Sequence, residues 1–305
     1  MFRKPLFALV VITLLVACSS SHSPTPAGPI TKTDGLNHVV TLEKPAQRIV
    51  SLAPSNTEIL FAIGAGAQGV GRDESSDYPA EATSLPTVGG WSGFSTESIV
   101  ALQPDLVLGM AGGFNTPELA ASLEQLGLTV YYLPDPTTLE EVYANIETVG
   151  ELTGHATEAH NLVESLKTRV AAVAARITTA SERPSVYFET SAEPGKSYSV
   201  GPGSFIDWLL TQAGGTNAAG QLDGQWLTLG FEEVIALNPQ VIILADANWG
   251  ESAATVAARP GWGTLQAVQQ GKIYPVDDNL FVRPGPRLVD GLEVLAKLLH
   301  PDLFK

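Results

Sequence analysis

The sequence predicts an α/β protein of two lobes with mostly parallel sheets, joined by one long helix, with a cleft between the lobes. Three observations carry this prediction. A segment beginning at Trp91 recurs at Trp226, strand-like and helix-like stretches alternate in both halves, and a long helical pattern separates the two copies. Alternation of this kind is typical of α/β architecture, and 305 residues are enough for two domains.

Charge and composition exclude several classes of protein. The chain has 17 Lys and Arg against 32 Asp and Glu, a net charge of −15, so it lacks the basic surface that nucleic-acid binding needs. Its single Cys excludes a scaffold held by disulfides within the chain. Because 44 % of the residues are hydrophobic, a sizeable core can form and disorder is not expected.

The first segment, residues 1–17, is predicted to be a signal peptide. Arg3 and Lys4 precede an apolar run that ends at Ala17 and is too short to span a bilayer. The residues Leu15–Cys18 resemble a bacterial lipobox, which implies that Cys18 is lipidated and becomes the mature N-terminus. The alternative is an ordinary signal peptide with an incidental Cys.

Residues 18–44 are predicted to be the lipidated Cys followed by a flexible tether, because Ser and Pro dominate its first part. Removing residues 1–17 leaves 15 basic and 32 acidic residues, a net charge of −17. The mature protein is therefore expected to be acidic, extracytoplasmic (periplasmic or on the cell surface) and anchored to the membrane by lipid.

The N-terminal α/β lobe is assigned to residues 45–155 and the C-terminal one to residues 182–305. In each copy of the repeat, a Trp precedes a short helix with acidic first-turn residues, a Pro follows that helix, and an apolar burst then predicts a buried strand. The other predicted strands are Arg48–Leu52, Thr129–Leu133, Ser185–Thr190 and Lys272–Val276, and the other helices are Glu58–Gly64, Pro117–Leu126 and Ser204–Gln212.

The linking helix is assigned to residues 156–181. Apolar residues recur there at intervals of three and four, the helical pattern, and Gly150 and Gly154 are expected to separate it from the preceding helical stretch. At 1.5 Å per residue, such a helix is about 36 Å long and can run along both lobes. Lobes joined in this way leave a cleft, where ligands commonly bind.

Several motifs resemble the helical-backbone substrate-binding proteins of ABC importers, which take up cobalamin, ferric siderophores and haem. The motifs are Arg48–Gly64, Ser76–Pro79, Val88–Trp91, Pro104–Val107, Pro260–Trp262 and Arg283–Glu293. Ser76–Pro79 and the Gly-Trp pair are most similar to the vitamin B12-binding branch. The resemblance implies a rigid bilobed receptor that delivers ligand to a membrane permease, with cobalamin as the first ligand and a ferric siderophore or haem next.

The resemblance also implies which residues bind the ligand. Trp91 and Trp226 match tryptophans that line the cleft from opposite lobes, and flat indoles suit a corrin or porphyrin. Tyr198 matches a cleft aromatic residue more loosely. The alternative for each of these residues is core packing, which is the expectation for Trp208 and Trp262.

Three polar or altered positions complete the implied ligand site. Arg283 matches a ligand-contacting arginine whose guanidinium can bind an amide or a carboxylate. The alternative is a surface ion pair with Asp277 or Asp278. Asp278 stands beside the position where the family has an acidic residue, and Met110 replaces an expected tryptophan, so the pocket departs from the family pattern.

Glu97 and Glu232 match the glutamates with which each lobe of the family docks on arginines of the permease dimer, which works with an ATPase. Each follows its Trp by six residues. The alternative for each is an acid that stabilises a helix N-terminus by about 0.3–1 kcal/mol. A monomeric receptor is expected.

The sequence carries no sign of catalysis, of a resident cofactor or of a metal site. It lacks a Gly-x-Ser-x-Gly elbow and the phosphate-binding glycine motifs, and its five histidines do not cluster. Tyr131 and Tyr132 are adjacent on a predicted strand, which sends their rings to opposite faces and favours core packing. The remaining alternative is a secreted α/β enzyme or adhesion module that has kept the fold.

Overall fold

The computed structural model describes residues 28–112 and 117–305. The first lobe contains the following elements in chain order: β1 (Ile30–Thr33), β2 (Val39–Leu42), β3 (Ile49–Ser51), α1 (Pro54–Ala62), β4 (Gly69–Arg72), β5 (Gly89–Gly90), β6 (Gly93–Phe94), α2 (Thr96–Ala101), β7 (Leu106–Met110), α3 (Pro117–Gln125), β8 (Val130–Leu133) and α4 (Leu139–Thr153). Helix α5 (Ala156–Ile177) follows.

The second lobe contains β9 (Ser185–Glu193), β10 (Lys196–Val200), α6 (Phe205–Gln212), β11 (Thr216–Asn217), β12 (Trp226–Gly230), α7 (Phe231–Leu237), β13 (Val241–Leu244), α8 (Ala253–Ala257), α9 (Gln266–Gln269), β14 (Ile273–Pro275), α10 (Asn279–Val282) and α11 (Leu288–Leu299). Short 3-10 turns connect several of these elements.

The sheet of the first lobe is wholly parallel, in the order β4-β3-β7-β8. Every residue of β3, β7 and β8 is buried, which explains why these strands read as continuous apolar runs. Tyr131 and Tyr132 are both buried and belong to separate core clusters, as the alternation of side chains along a strand predicts.

The sheet of the second lobe has the order β12-β10-β9-β13-β14, with β11 beside β9. Strands β9, β11, β13 and β14 are parallel, whereas β10 runs antiparallel to both β9 and β12. The predicted α/β class is confirmed, and the antiparallel β9–β10 hairpin makes this second sheet mixed.

The predicted repeat is present in the fold. Helices α2 and α7 begin at Thr96 and Phe231, and the strands that follow them begin at Leu106 and Val241, an offset of 135 in both cases. The two lobes therefore present the same short helix before the same buried strand.

The assignment of residues 18–44 as a tether is wrong at its C-terminal end. Strands β1 and β2 form an antiparallel hairpin that packs on the first lobe. The backbone N–H of Gly35 donates to the Tyr132 carbonyl at 2.6 Å, and the Tyr131 hydroxyl donates to the Thr33 carbonyl at 3.0 Å. These contacts stabilise a polar segment whose composition alone suggests a linker.

The break before the linking helix lies at Gly154 alone. Gly154 ends α4 with a φ of 80°, a left-handed conformation that favours glycine. Gly150 lies inside α4, where a Cβ would come within 2.4 Å of the Ala159 Cβ on the adjacent α5. This glycine therefore allows the two helices to pack closely and does not separate them.

Helix α5 joins the hydrophobic cores of the two lobes. Its buried residues Ala159, Val163, Leu166 and Val173 belong to one continuous cluster that also holds Ile49 of the first lobe and side chains from the second lobe. At 1.5 Å per residue its 22 residues extend about 33 Å. In the part of the chain that the structure describes, no helix is long and apolar enough to cross a membrane.

Candidate ligand-binding site

A cleft cavity of about 550 Å³ lies between the lobes and is called the main cavity here. The first lobe lines it with Leu52, Asp73, Trp91, Phe94, Met110 and Asp135, among others. The second lobe contributes Trp249, Asp278, Val282 and Arg283. Four residues selected by sequence, Trp91, Met110, Asp278 and Arg283, are therefore brought together although they span almost 200 positions.

A second cavity of about 190 Å³ adjoins the main one and is called the side cavity. Trp226 lines it together with Phe205, Gln225 and Phe281. Asp135, Val282 and Pro284 line both cavities, so the two are compartments of one cleft. Trp91 and Trp226 come from opposite lobes, but each occupies its own compartment.

Exposure separates the five tryptophans into two groups. Trp91, Trp226 and Trp249 are 74 %, 70 % and 82 % exposed, and all three line the cleft. Trp262 is fully buried in the core of the second lobe, and Trp208 packs against the ring of Phe205 with centroids 5.8 Å apart. Core packing is thus confirmed for Trp262, while the exposed group contains one tryptophan that the sequence did not single out.

Trp249 was missed, although its position carries a signal. It follows the apolar strand β13 by five residues and sits in a turn beyond the carboxyl end of that strand. Ligands of open α/β sheets bind at this edge. The repeat directed attention to Trp91 and Trp226, which precede their helices, and away from this turn.

Trp91 is positioned by the tight turn between β5 and β6. Its backbone N–H donates to Glu74 Oε1 at 2.8 Å, and Gly90 lies so close to Glu74 that a Cβ would come within 2.3 Å of that side chain. Glycine is therefore required beside Trp91 for the turn to rest on Glu74.

Trp226 begins β12 and pairs with Val200 of β10. Tyr198 pairs with Thr228 in the same ladder, so Tyr198 and Trp226 lie on the same face of the sheet as diagonal neighbours. Tyr198 lines neither cavity. Its predicted ligand contact stays a prediction, supported only by its position beside Trp226.

Met110 and Asp278 occupy different depths of the main cavity. Met110 ends β7 and is only 6 % exposed, so it offers the cavity a small apolar surface. Asp278 is half-buried, and its Oδ1 accepts a hydrogen bond from Asn248 Nδ2 at 3.1 Å. The Asp278 carboxylate is thereby tied to the turn that carries Trp249.

The ion pair suggested for Arg283 with Asp277 or Asp278 is wrong. Arg283 Nη1 instead contacts Asp77 Oδ1 at 2.6 Å and Glu58 Oε1 at 3.3 Å, both in the first lobe. Its Nη2 donates to the Ser75 carbonyl at 3.1 Å. The guanidinium therefore lies at the cavity wall but is already engaged across the two lobes.

Glu58 is the centre of this interlobe cluster and was missed as a functional candidate. Its carboxylate is 2 % exposed and accepts from Arg287 Nε at 3.0 Å and Nη2 at 2.5 Å, besides Arg283. The ring of Tyr78 lies 4.0 Å from the Arg287 guanidinium carbon. A buried carboxylate with two arginines fixes the orientation of the lobes beneath the cleft.

The remaining charge at the main cavity is negative. Asp73, Asp135 and Asp278 line it, while Arg283 is paired with Glu58 and Asp77. Burial raises the pKa of Asp73, and burial together with Glu141 raises the pKa of Asp135. The lining can accept hydrogen bonds from amide groups and opposes the entry of carboxylates.

Glu97 and Glu232 are the second residues of α2 and α7, and both are exposed. Within residues 28–112 and 117–305, neither makes an ion pair or a side-chain hydrogen bond, so both are available to a partner. Cys18 lies outside the described residues. Among those residues, no group of three or more His, Cys, Asp or Glu is placed to hold a metal ion.

The sequence model of the periplasmic binding protein family matches residues 49–280 of the chain. The chain is 35 % identical over 290 residues to an uncharacterized ABC transporter substrate-binding lipoprotein, YvrC, of Bacillus subtilis, covering 94 % of this chain and 90 % of the relative. It is 28 % identical over 322 residues to a cobalamin-binding protein of Halobacterium salinarum, covering 98 % and 86 % of the two chains.

Two solved structures show the same fold. The vitamin B12 binding protein BtuF of Vibrio cholerae superposes with a TM-score of 0.72 at 28 % identity, covering 84 % of this chain and 98 % of that one. The haem-binding protein RhuT of Roseiflexus sp. RS-1 superposes with a TM-score of 0.76 at 28 % identity, covering 85 % and 99 %. The two-lobed architecture is thus shared with binding proteins whose ligands differ.

Proposed function

The chain belongs to the periplasmic binding protein family, and from this premise we propose that it is the substrate-binding component of an ABC importer that captures cobalamin or a related corrinoid. The prediction that the chain is not an enzyme is confirmed by this membership, since the family and its relatives are binding proteins. The observation that carries the ligand proposal is the exposure of three tryptophans, all in one interlobe cleft.

Exposed indoles suit a large ligand with flat apolar faces. Each tryptophan can bury about 150–250 Å² and still offers an N–H donor. A corrin has apolar faces and an edge of amide groups, which can donate to the more exposed Asp135 and Asp278 at the cavity wall. The apolar walls and the carboxylates therefore match the two parts of this ligand.

The same lining supports haem less well. Haem carries two propionates, and the cavity presents three carboxylates with Arg283 already paired. Haem iron in proteins is held by His, Cys, Met or Tyr. Among the described residues that line the two cavities, Met110 is the only one of these types. A ferric siderophore without negative charge is the alternative that the same surface accommodates.

Calorimetric titration of the detergent-solubilised protein with cyanocobalamin, haemin and a ferric hydroxamate tests the ligand. We expect tight binding of cyanocobalamin and weaker or no binding of haemin. Trp91→Ala and Trp226→Ala should each weaken cyanocobalamin binding by about tenfold or more. Trp262→Phe, a change of a buried tryptophan, is the control that should leave affinity unchanged. Failure of all three ligands to bind would overturn the proposal.

Glu97 and Glu232 are proposed to dock the two lobes on basic residues of the permease dimer. Both carboxylates are exposed, and opposite charges steer and orient association. The double variant Glu97→Ala and Glu232→Ala should retain ligand affinity but lose uptake in cells that carry the permease and its ATPase. Glu118→Ala, which removes an exposed first-turn acid outside the repeat, is the matched control. Normal uptake by the double variant would contradict this role.

Cys18 is proposed to carry the lipid that holds the protein outside the cytoplasmic membrane. The support is its position at the end of an apolar export segment, and the named lipoprotein among the relatives. Metabolic labelling with a fatty acid should mark the wild type and leave Cys18→Ser unlabelled. A labelled Cys18→Ser protein would show that the anchor lies elsewhere.

A further inference from the structure

We propose that Trp249 is a further ligand-contacting residue, which forms the wall of the main cavity on the second lobe while Trp91 forms the wall on the first. The proposal rests on the ligand-binding function proposed above. Both indoles line the same cavity, and Trp249 is the most exposed of the large hydrophobic side chains in the described part of the chain, at 82 %. An indole left in water at a cavity wall is a contact surface for an apolar ligand.

The exposure of Trp249 follows from a well-anchored turn. Strand β13 ends in buried residues, and the backbone then turns through Ala247–Trp249, with the Trp249 N–H donating to the Asp246 carbonyl at 2.9 Å. Gly250 ends the turn with a φ of 102°, in the left-handed region that glycine favours. Asp246 is only 2 % exposed, so the base of the turn is fixed in the core.

The side of the turn is fixed as well. Asn248 donates to the Asp278 carboxylate at 3.1 Å, and Asp278 begins the segment that carries Arg283 along the cavity wall. The indole is therefore presented from a scaffold held at two points. A preorganised aromatic residue contributes more to affinity than a mobile one, because less conformational freedom is lost on binding.

The two compartments then take different parts of one ligand. Trp91 and Trp249 contribute from opposite lobes to the main cavity, which is suited to the flat, apolar part. Trp226 and Gln225 line the smaller side cavity, which is suited to a substituent of that part. Removing Trp249 should therefore weaken ligands with an extended flat face more than compact ligands without one.

The experiment is calorimetric titration of the detergent-solubilised full chain with cyanocobalamin, haemin and a ferric hydroxamate. Against the tightest of the three, Trp249→Ala should raise Kd by about 30-fold, the change typical of a central aromatic contact. Trp249→Phe should retain most of the affinity, since it keeps a flat ring. Val39→Ala, which trims a 72 % exposed side chain on the β1–β2 hairpin, should leave Kd unchanged.

The outcomes separate the two proposals. If the wild type binds a probe and Trp249→Ala binds it within twofold of the wild type, the role of Trp249 is refuted and the proposed function stands. If the wild type binds none of the probes, the proposed ligand class fails and the role of Trp249 fails with it. The thermal midpoint of Trp249→Ala should equal that of the wild type, because the deleted ring contributes little to the core.

Discussion

The replacement Glu58→Gln tests whether the lobes are held together by a buried charge cluster. Glu58 belongs to the first lobe, and its carboxylate accepts hydrogen bonds from Arg283 and Arg287 of the second lobe. Glutamine keeps the size of the side chain but removes its charge and presents an NH₂ group toward guanidinium donors. The two arginines then lose their shared buried partner.

The expected loss of stability is about 3 kcal/mol. Removing one partner of a buried ion pair costs about 3–5 kcal/mol, because the other charge stays buried without compensation. The lower end applies here, since the side chains of Arg283 and Arg287 are still 10 % and 12 % exposed. Arg283 also keeps its contact with Asp77 at 2.6 Å, and Tyr78 still faces Arg287. For a chain of this length a loss of about 1 kcal/mol lowers the thermal midpoint by about 2 °C, so the midpoint should fall by about 6 °C.

Urea and thermal unfolding measure this loss directly. The matched control is Asp290→Asn, which breaks the pair between Asp290 and Arg169 at 2.5 Å, where the side chains are 42 % and 34 % exposed. An exposed pair contributes about 0–1 kcal/mol, so the control should differ little from the wild type. If Glu58→Gln costs less than 1 kcal/mol, the cluster does not hold the lobes and the reasoning is refuted.

Three further predictions concern a buried carboxyl group, a close contact between helices and the continuity of the hydrophobic core. Burial and neighbouring carboxylates raise the pKa of Asp246 to about 7. Between about pH 4 and 7 the folded protein therefore holds a proton that the unfolded chain has already released, and stability falls as pH rises through this window. Asp246→Asn should flatten that slope and be more stable than the wild type at pH 8, whereas the exposed Asp223→Asn should retain the slope; equal slopes would refute the assignment. Gly150→Ala should destabilise by about 1–3 kcal/mol in calorimetry, since its Cβ would meet the Ala159 Cβ at 2.4 Å, and this outweighs the gain in helix propensity. Gly263→Ala, with no atom within 4 Å of the new Cβ, is the control, and a stabilised Gly150→Ala would be the contrary result. Finally, small-angle scattering should give the same radius of gyration with and without ligand, because one core is continuous through α5; a marked contraction would contradict this.

The lobes could be predicted from sequence because their central strands are buried on both faces. Strands such as β7 and β13 read as short apolar bursts whatever surrounds them, and the repeat relates one to the other. The β1–β2 hairpin could not be predicted in this way. Its order depends on hydrogen bonds to Tyr131 and Tyr132, about 100 residues away, and local composition carries no trace of them.

In the candidate site, too, local motifs predict single residues but not the contacts between the lobes. Trp91 was found because its loop has a second copy, and Arg283 because its motif resembles a family. The partner of Arg283 was not found, since Glu58 lies 225 residues earlier and looks like an ordinary helix residue. Pairings across the cleft depend on how the lobes approach each other, which no local pattern encodes.

The β1–β2 hairpin also limits the distance between the folded body and a lipid anchor at Cys18. The hairpin joins the folded body at Ile30, so only the twelve residues 18–29 separate it from Cys18. At no more than about 3.3–3.6 Å per residue, these residues span at most about 40 Å, against at most about 90 Å for the whole of residues 18–44. With Cys18 in the bilayer, Ile30 at the start of the folded body would stay within about 40 Å of the membrane surface. Encounter with a membrane partner then becomes a two-dimensional search at high effective concentration.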